Sequence, residues 1–326
     1  MFAARFSRSL SHWIFLAGLL LAVAAQAADP LPSWRAGTAK QAIVGFVERV
    51  TDSRGKDYVS PPERIAVFDN DGTLWAEQPV YFPLLFAFDR LRALAPAHPE
   101  WADKPVFQAA LAGDLKGALA GGEKGMVELV EATYEGDIDA FRAEVKAWLA
   151  SARHPLTGRR YDAMVYQPML EVLRYLRANG FKTYIVTGGD VEFMRAFAER
   201  AYGVPHEQVI GSRLKLVVGD NAAGRAPAVE FINDGKGKVA SIVAQIGRRP
   251  IAAFGNSDGD LPMLQWTAGG SGARLMAYVH HTDARREFAY DRKSPIGKLD
   301  KGLDAALAGN WVIADMARDW LTIYPR

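Results

Sequence analysis

Three short polar stretches carry the residue types that chemistry on a small molecule needs. Asp69-Asn70-Asp71-Gly72-Thr73 sets two carboxylates two residues apart. One can act as a nucleophile and the other as a general acid/base. Thr187-Gly188-Gly189 offers a hydroxyl and flexible backbone N–H groups. Gly255-Asn256-Ser257-Asp258-Gly259-Asp260 offers a further cluster of oxygens, and Gly235-Lys236-Gly237-Lys238 places two ammonium groups at a glycine-rich helix start. Phosphoryl transfer needs this combination: an oxygen nucleophile, donors around the phosphoryl oxygens, a cation, and hard oxygen ligands for a metal ion.

Each stretch follows an apolar run that reads as a strand. Ile65–Phe68 is β-branched and aromatic and ends abruptly in turn residues, the pattern of a buried strand with a loop at its carboxyl end. Thr183–Val186 and Ile251–Phe254 repeat the pattern ahead of the other two loops. Between them, Met169, Val172, Leu173 and Leu176 mark one helix face, opened by Pro168 and closed by Gly180. Asp190 is placed to cap the next helix, and Val239, Ile242, Val243 and Ile246 mark another. Leu214–Val218 and Val229–Phe231 suggest a hairpin, and Leu275–Val279 one more strand. Strands alternating with helices imply an α/β fold with a doubly wound, Rossmann-like parallel sheet. Such a sheet brings all three loops to one edge.

The remaining segments surround this core. Ile43, Phe46, Val47 and Val50 form one amphipathic helix within an N-terminal lead-in over 28–62. Residues 80–162 are Ala-rich, with Leu, Phe and Trp at helical spacings and breaks at Gly113, Gly121-Gly122 and Gly136. They read as a helical cap inserted in a core made of 63–79 and 163–326. Phe82, Phe86 and Phe88 read as core residues. The His280-His281 pair reads as a strand end, and Trp311 and Trp320 as anchors for the tail.

Arg5 and Arg8, the apolar run Trp13–Ala25, and Ala25-Gln26-Ala27 read as a secretory signal peptide over 1–27, cleaved after Ala27. The run of about 13 residues is shorter than the ~20 a spanning helix needs, so no stable membrane anchor is expected after cleavage. Loss of Arg5 and Arg8 takes the formal charge from +2 to 0. A neutral chain gives no electrostatic case for nucleic acid. With no cysteine, disulfides, thiolate catalysis and Cys-ligated zinc are excluded, and an exported chain fits a periplasm without an oxidative folding step. Oligomeric state is not legible.

In this order, and around a helical insertion, the four motifs resemble the haloacid dehalogenase (HAD) superfamily, and within it the phosphoserine-phosphatase-like group. The resemblance covers roughly Arg64–Gln265 and implies a Mg²⁺-dependent phosphatase for a small phosphate ester. Asp69 would form an aspartyl-phosphate. Asp71 would protonate the leaving oxygen and then activate water. Thr187, Gly188 and Gly189 would hold phosphoryl oxygens, and Lys236, taken ahead of Lys238, would supply positive charge. Asp69, the Asp71 carbonyl, Asn256 and Asp260 would bind the metal. Gln78 stands where phosphoserine phosphatases carry an acidic substrate contact, a departure that counts against phosphoserine; Glu77, one residue off, would face the substrate, with a flap contact the alternative for both. Asn256 departs from the usual Asp. It supplies a neutral oxygen with one less negative charge, which predicts a weaker hold on Mg²⁺. Phosphonate hydrolysis is an alternative chemistry, with Lys104, Lys116, Lys124 and Lys146 as candidate Schiff-base groups in the insertion. A catalytically inactive binding homologue is another.

Overall fold

The computed structural model describes residues 29–325. The signal-peptide reading of 1–27 therefore lies outside the described residues. Among the described residues, no helix is long and apolar enough to cross a membrane.

Eight strands form one sheet: β1 Ile65–Phe68, β2 Gly136–Asp137, β3 Lys182–Asp190, β4 Val209–Val218, β5 Ala223–Phe231, β6 Ala252–Gly255, β7 Leu275–His280 and β8 Val312–Asp315. Their order is β2-β5-β4-β3-β1-β6-β7-β8. The six strands from β4 to β8 in this order pair in parallel, with β1 at the centre. From β1 the chain winds through β3 and β4 to one side, then returns through β6, β7 and β8 to the other. The strand order thus reverses at β1, and the crevice outside its carboxyl end is where such sheets bind ligands.

The side-chain period of two divides β1 between two cores. Ala66 and Phe68 pack into the larger core with Phe46 and Val47 of the lead-in helix Thr38–Thr51 and with Val172 and Leu176 of the Gln167–Ala178 helix. Ile65 and Val67 pack on the other face with Ile242, Met263, Leu264 and Leu303. Both faces are covered, so β1 must be apolar throughout, and all four of its residues are buried.

Three strand details differ from the sequence reading. The short strand at Val209 and the hairpin arm at Leu214 are one continuous β4, because the ladder to β3 passes directly into the antiparallel ladder to β5. β2, inside the helical insertion, pairs antiparallel with β5 and extends the sheet by one edge. β8, in the tail read as mixed, pairs in parallel with β7. The sheet is therefore mixed, with parallel pairs in the majority. Trp320 anchors the tail as expected, packing edge-on against Trp34 at 5.8 Å, whereas Trp311 is only partly buried, against Tyr278.

Between β1 and β3 lie the helices Phe82–Leu94, Pro105–Leu111, Leu115–Ala120, Gly122–Tyr134 and Ile138–Ser151. Their shared core includes Phe82, Phe86 and Phe88. Arg225 of β5 ties this layer to the sheet. Its Nη1 donates to both Asp190 oxygens at 3.0 and 3.1 Å, and its guanidinium lies 3.9 Å from the centre of the Phe141 ring. Asp190 also accepts the N–H groups of Glu192 and Phe193, so it is both helix cap and ion-pair partner. Both members of the pair are buried. Arg225→Ala leaves Asp190 without its counter-charge, and loss of a buried partner typically costs about 3–5 kcal/mol. Urea unfolding of this variant should show a loss of unfolding free energy of that size, and an unchanged midpoint would contradict the role assigned to the pair.

Candidate active site

The loops after β1, β3 and β6, and the start of the Lys236–Ile246 helix, converge at the crevice beside β1. A cavity of about 510 Å³ opens there, with Asp69, Asp71, Gly188, Gly189 and Lys238 on its floor. Thr187, Asn256 and Asp260 lie behind that floor and are fully buried.

Lys238 is the cation that reaches the site. Its Nζ lies 2.5 Å from Asp69 Oδ1 and 2.6 Å from Asp260 Oδ1. Lys236, the residue expected in this role, is exposed, which corrects that expectation. The reason is helical phase. Gly235 turns the chain at φ +53°, the helix begins at Lys236, and its third residue faces inward. Burial works against a charged Lys238, but the Asp260 and Asp69 carboxylates outweigh it and hold the ammonium protonated far above the ordinary lysine range. Burial and the Asp260 charge push the Asp69 carboxyl upward, and Lys238 opposes them.

Asp71 accepts a hydrogen bond from Trp75 Nε1 at 2.8 Å, which aims its carboxyl across the floor. Burial raises its carboxyl above the ordinary aspartate value and outweighs the bonds that favour the charged form. A carboxyl of this kind is suited to donating a proton. Thr187 Oγ1 accepts from the Gly189 N–H at 2.9 Å, closing the turn that exposes Gly188.

The β6 loop is organised by Asp260. Its Oδ2 accepts from the backbone N–H groups of Asn256 and Ser257 at 3.0 and 3.1 Å, while Oδ1 takes Lys238. Both oxygens are thus engaged by protein donors, as those of Asp69 are by Lys238 and Thr73, and Asp260 clamps this loop and pairs with the lysine. Asp258 is likewise occupied, accepting the N–H groups of Asp300 and Gly302.

Asn256 Oδ1 accepts from Thr73 Oγ1 at 3.1 Å, and its Nδ2 donates to Glu77 Oε1 at 2.6 Å. The amide oxygen therefore faces the Asp69 side. Tyr290 Oη also donates to Glu77 Oε1, at 2.7 Å. Glu77 borders the cavity, and these two donors hold its Oε1 toward Asn256. A carboxyl thus stands directly behind Asn256, and burial pushes it well above the ordinary glutamate range. Among the described residues, no three His, Asp or Glu side chains converge as a ready-made metal cage. The side-chain oxygens that suit a hard cation are those of the Asp69 and Asp260 carboxylates, which share Lys238, and Asn256 Oδ1, which shares the Thr73 hydroxyl with Asp69.

Several framing residues were not singled out by the sequence for these roles. His281 Nε2 donates to the Gly72 carbonyl at 2.7 Å, and its Nδ1 lies 3.2 Å from Glu287, fixing the Asp69–Thr73 loop from behind. Gly72 itself, at φ +75°, leaves no room for a side chain: a Cβ would lie 2.0 Å from Asn256 Nδ2. Gly297 passes equally close to Glu77, where a Cβ would lie 1.9 Å from Oε1. His154, at the end of the insertion, bonds the Gln78 carbonyl through Nε2 and accepts backbone N–H groups at Nδ1, so it braces the chain leading into the insertion.

A Rossmann-like α/β sheet with a carboxylate pair and a buried lysine at its central crevice defines a class of hydrolytic enzyme. The chain belongs to that class's haloacid dehalogenase-like hydrolases, whose family model matches residues 66–265. A conserved functionally unknown protein from Anaerococcus prevotii DSM 20548 shares the fold, with a TM-score of 0.57 at 17% identity over 84% of this chain and 90% of its own. A protein with unknown function from Bordetella pertussis Tohama I aligns at 17% identity over 78% and 99%, with a TM-score of 0.49. A phosphoserine phosphohydrolase-like protein from Francisella tularensis subsp. tularensis SCHU S4 aligns at 14% identity over 66% and 87%, with a TM-score of 0.38. No curated protein matches this chain.

The Asn256–Glu77 contact gives a test that needs no turnover. Asn256→Asp replaces the amide that donates to Glu77 with a second buried carboxyl and should lower stability by about 1–3 kcal/mol in metal-free urea unfolding. Adding Glu77→Gln should restore most of the loss. A single Asn256→Asp variant as stable as the wild type would refute the matched pair.

Proposed function

We propose that the protein is a Mg²⁺-dependent phosphomonoester hydrolase that works through an aspartyl-phosphate on Asp69. The observation that carries this reading is the joint placement of Asp69, Asp71 and Lys238 on one cavity floor beside Gly188 and Gly189. An Asp69 oxygen attacks phosphorus as the P–O bond to the leaving group breaks, and Asp71 gives its proton to the departing oxygen. A water molecule then attacks phosphorus, Asp71 takes its proton, and the P–O bond to Asp69 breaks to release inorganic phosphate. Lys238 holds Asp69 in place and offsets negative charge at the phosphoryl group. Thr187, Gly188 and Gly189 turn the β3 loop toward the phosphoryl oxygens. The Asp69 carboxylate, the Asp71 carbonyl, Asn256 Oδ1 and the Asp260 carboxylate would hold Mg²⁺, which supplies charge neutralisation at the phosphoryl oxygens when bound.

The Schiff-base alternative finds no support, because none of Lys104, Lys116, Lys124 and Lys146 borders the cavity, and Lys104 is paired with Glu128. Phosphate release from small phosphoesters should require Mg²⁺ and vanish in Asp69→Asn, whose shape is nearly unchanged. Lys238→Ala should lose about 10²–10³-fold in kcat, whereas Lys236→Ala should stay near wild type. Full activity in Asp69→Asn would overturn the mechanism.

We also infer that the protein is exported to the periplasm. The support is the Arg5/Arg8, Trp13–Ala25 and Ala25-Gln26-Ala27 pattern. N-terminal sequencing of the protein from a periplasmic extract should begin at Ala28, and an intact Met1 would contradict export by cleavage.

A further inference from the structure

The catalytic floor occupies only one end of the 510 Å³ cavity. The rest is walled by two elements that contribute nothing to the chemistry. One is the Gly122–Tyr134 helix of the insertion, which presents Met126 and Val130 one turn apart on the same face. The other is the β4–β5 hairpin and its exit, which present Leu214, Val229 and Ile232. Leu84 completes this apolar chamber, and Ile232 remains 43% exposed at its edge.

The cations at the chamber have carboxylate partners, and its remaining charged side chains, Glu123 and Asp234, are acidic and exposed. Arg213 is paired with Glu230 at 2.9 Å and stacked on Phe231, Lys298 faces Asp300 at 3.5 Å, and Lys238 is committed to Asp69 and Asp260. Among the described residues lining the cavity, no cation is left to read a carboxylate on the substrate. Glu77, the residue nearest to an amino-group contact, is bonded to Asn256 and Tyr290. A phosphoserine-sized ester would leave much of the Met126, Val130, Leu214 and Val229 wall uncovered, and its carboxylate would enter a chamber whose remaining charges, Glu123 and Asp234, are of its own sign. Cavities of about 300–1,000 Å³ with apolar walls and a few polar groups at one end suit ligands of the opposite build, with an apolar body and one polar head.

We propose that the substrates are phosphomonoesters of an uncharged, apolar alcohol, with the phosphate on the Asp69 floor and an aliphatic or aromatic body between Met126, Val130, Leu214 and Val229. This deepens the phosphatase reading and rests on it for the identity of the head group. The insertion helix and the hairpin then determine selectivity, and the loops after β1, β3 and β6 perform a chemistry that is indifferent to the alcohol.

The test separates binding from turnover. Non-hydrolysable n-alkylphosphonates, from methyl to octyl, are titrated into the full protein with Mg²⁺ by calorimetry, and phosphate release is followed for the matching alkyl phosphates and for phosphoserine. Kd should fall about fourfold per added methylene, the value expected for burying one methylene, until the chamber fills. Val130→Asp should flatten that slope, with circular dichroism confirming that the variant is folded. Octyl phosphate should exceed phosphoserine in kcat/KM by at least 100-fold. A flat series alongside good turnover of phosphoserine would overturn the inference and leave the phosphatase reading intact. A steep series without any phosphate release would support the chamber and overturn the phosphatase reading.

Discussion

The buried Lys238 ammonium, shared between Asp69 and Asp260, is the interaction on which the site depends. Three segments distant in sequence meet at that one nitrogen. A charge removed from water survives only with close partners, and two carboxylates sharing one ammonium leave a net negative charge to be accommodated. Backbone N–H groups do this for Asp260, and the Thr73 hydroxyl, 3.3 Å from Oδ2, contributes for Asp69. Lys238 thereby draws the β1 and β6 loops to a fixed distance and leaves Asp69 facing the cavity. The residual negative charge is also a reason for a cation to be welcome there.

A second layer of contacts comes from the chain after β7. His281 bonds the Gly72 carbonyl, Tyr290 bonds Glu77, and Gly297 passes against the same carboxylate. The active-site loop is therefore held from in front by Lys238 and from behind by residues more than two hundred positions away. Glu77 joins the two layers, because its contact orients the Asn256 amide. Asn256, which looks in sequence like the loss of a ligand charge, is half of a hydrogen-bonded pair with the Glu77 carboxyl one residue outward. In a single layer the same two groups as carboxylates would repel.

Much of the frame was legible. Ile65–Phe68, Thr183–Val186 and Ile251–Phe254 are short, continuously apolar and closed by turn residues, and burial on both faces of a sheet leaves no other pattern open. Asp69, Asp71, Gly188 and Gly189 could be placed because a parallel sheet sends such loops to a common edge. β2 and β8 were not legible. Gly136-Asp137 is too short to show a period, and Val312–Asp315 has only two strongly apolar residues. Both are strands because a neighbouring edge was there to pair with.

The sequence alone determined the order of the loops, the chemical groups in each, and the edge of the sheet where they meet, since these follow from local spacing and from the handedness of parallel connections. Only the tertiary structure decided which groups pair. Lys236 and Lys238 are alike in composition and context, and the phase of a helix starting after Gly235 chose between them. Asp260 became a clamp, Glu77 a partner of Asn256, and the Gly122–Tyr134 helix one wall of an apolar chamber for the same reason. Hydrogen bonds and ion pairs act over a few ångströms, and those distances are set by how the sheet, the insertion and the C-terminal segment pack together.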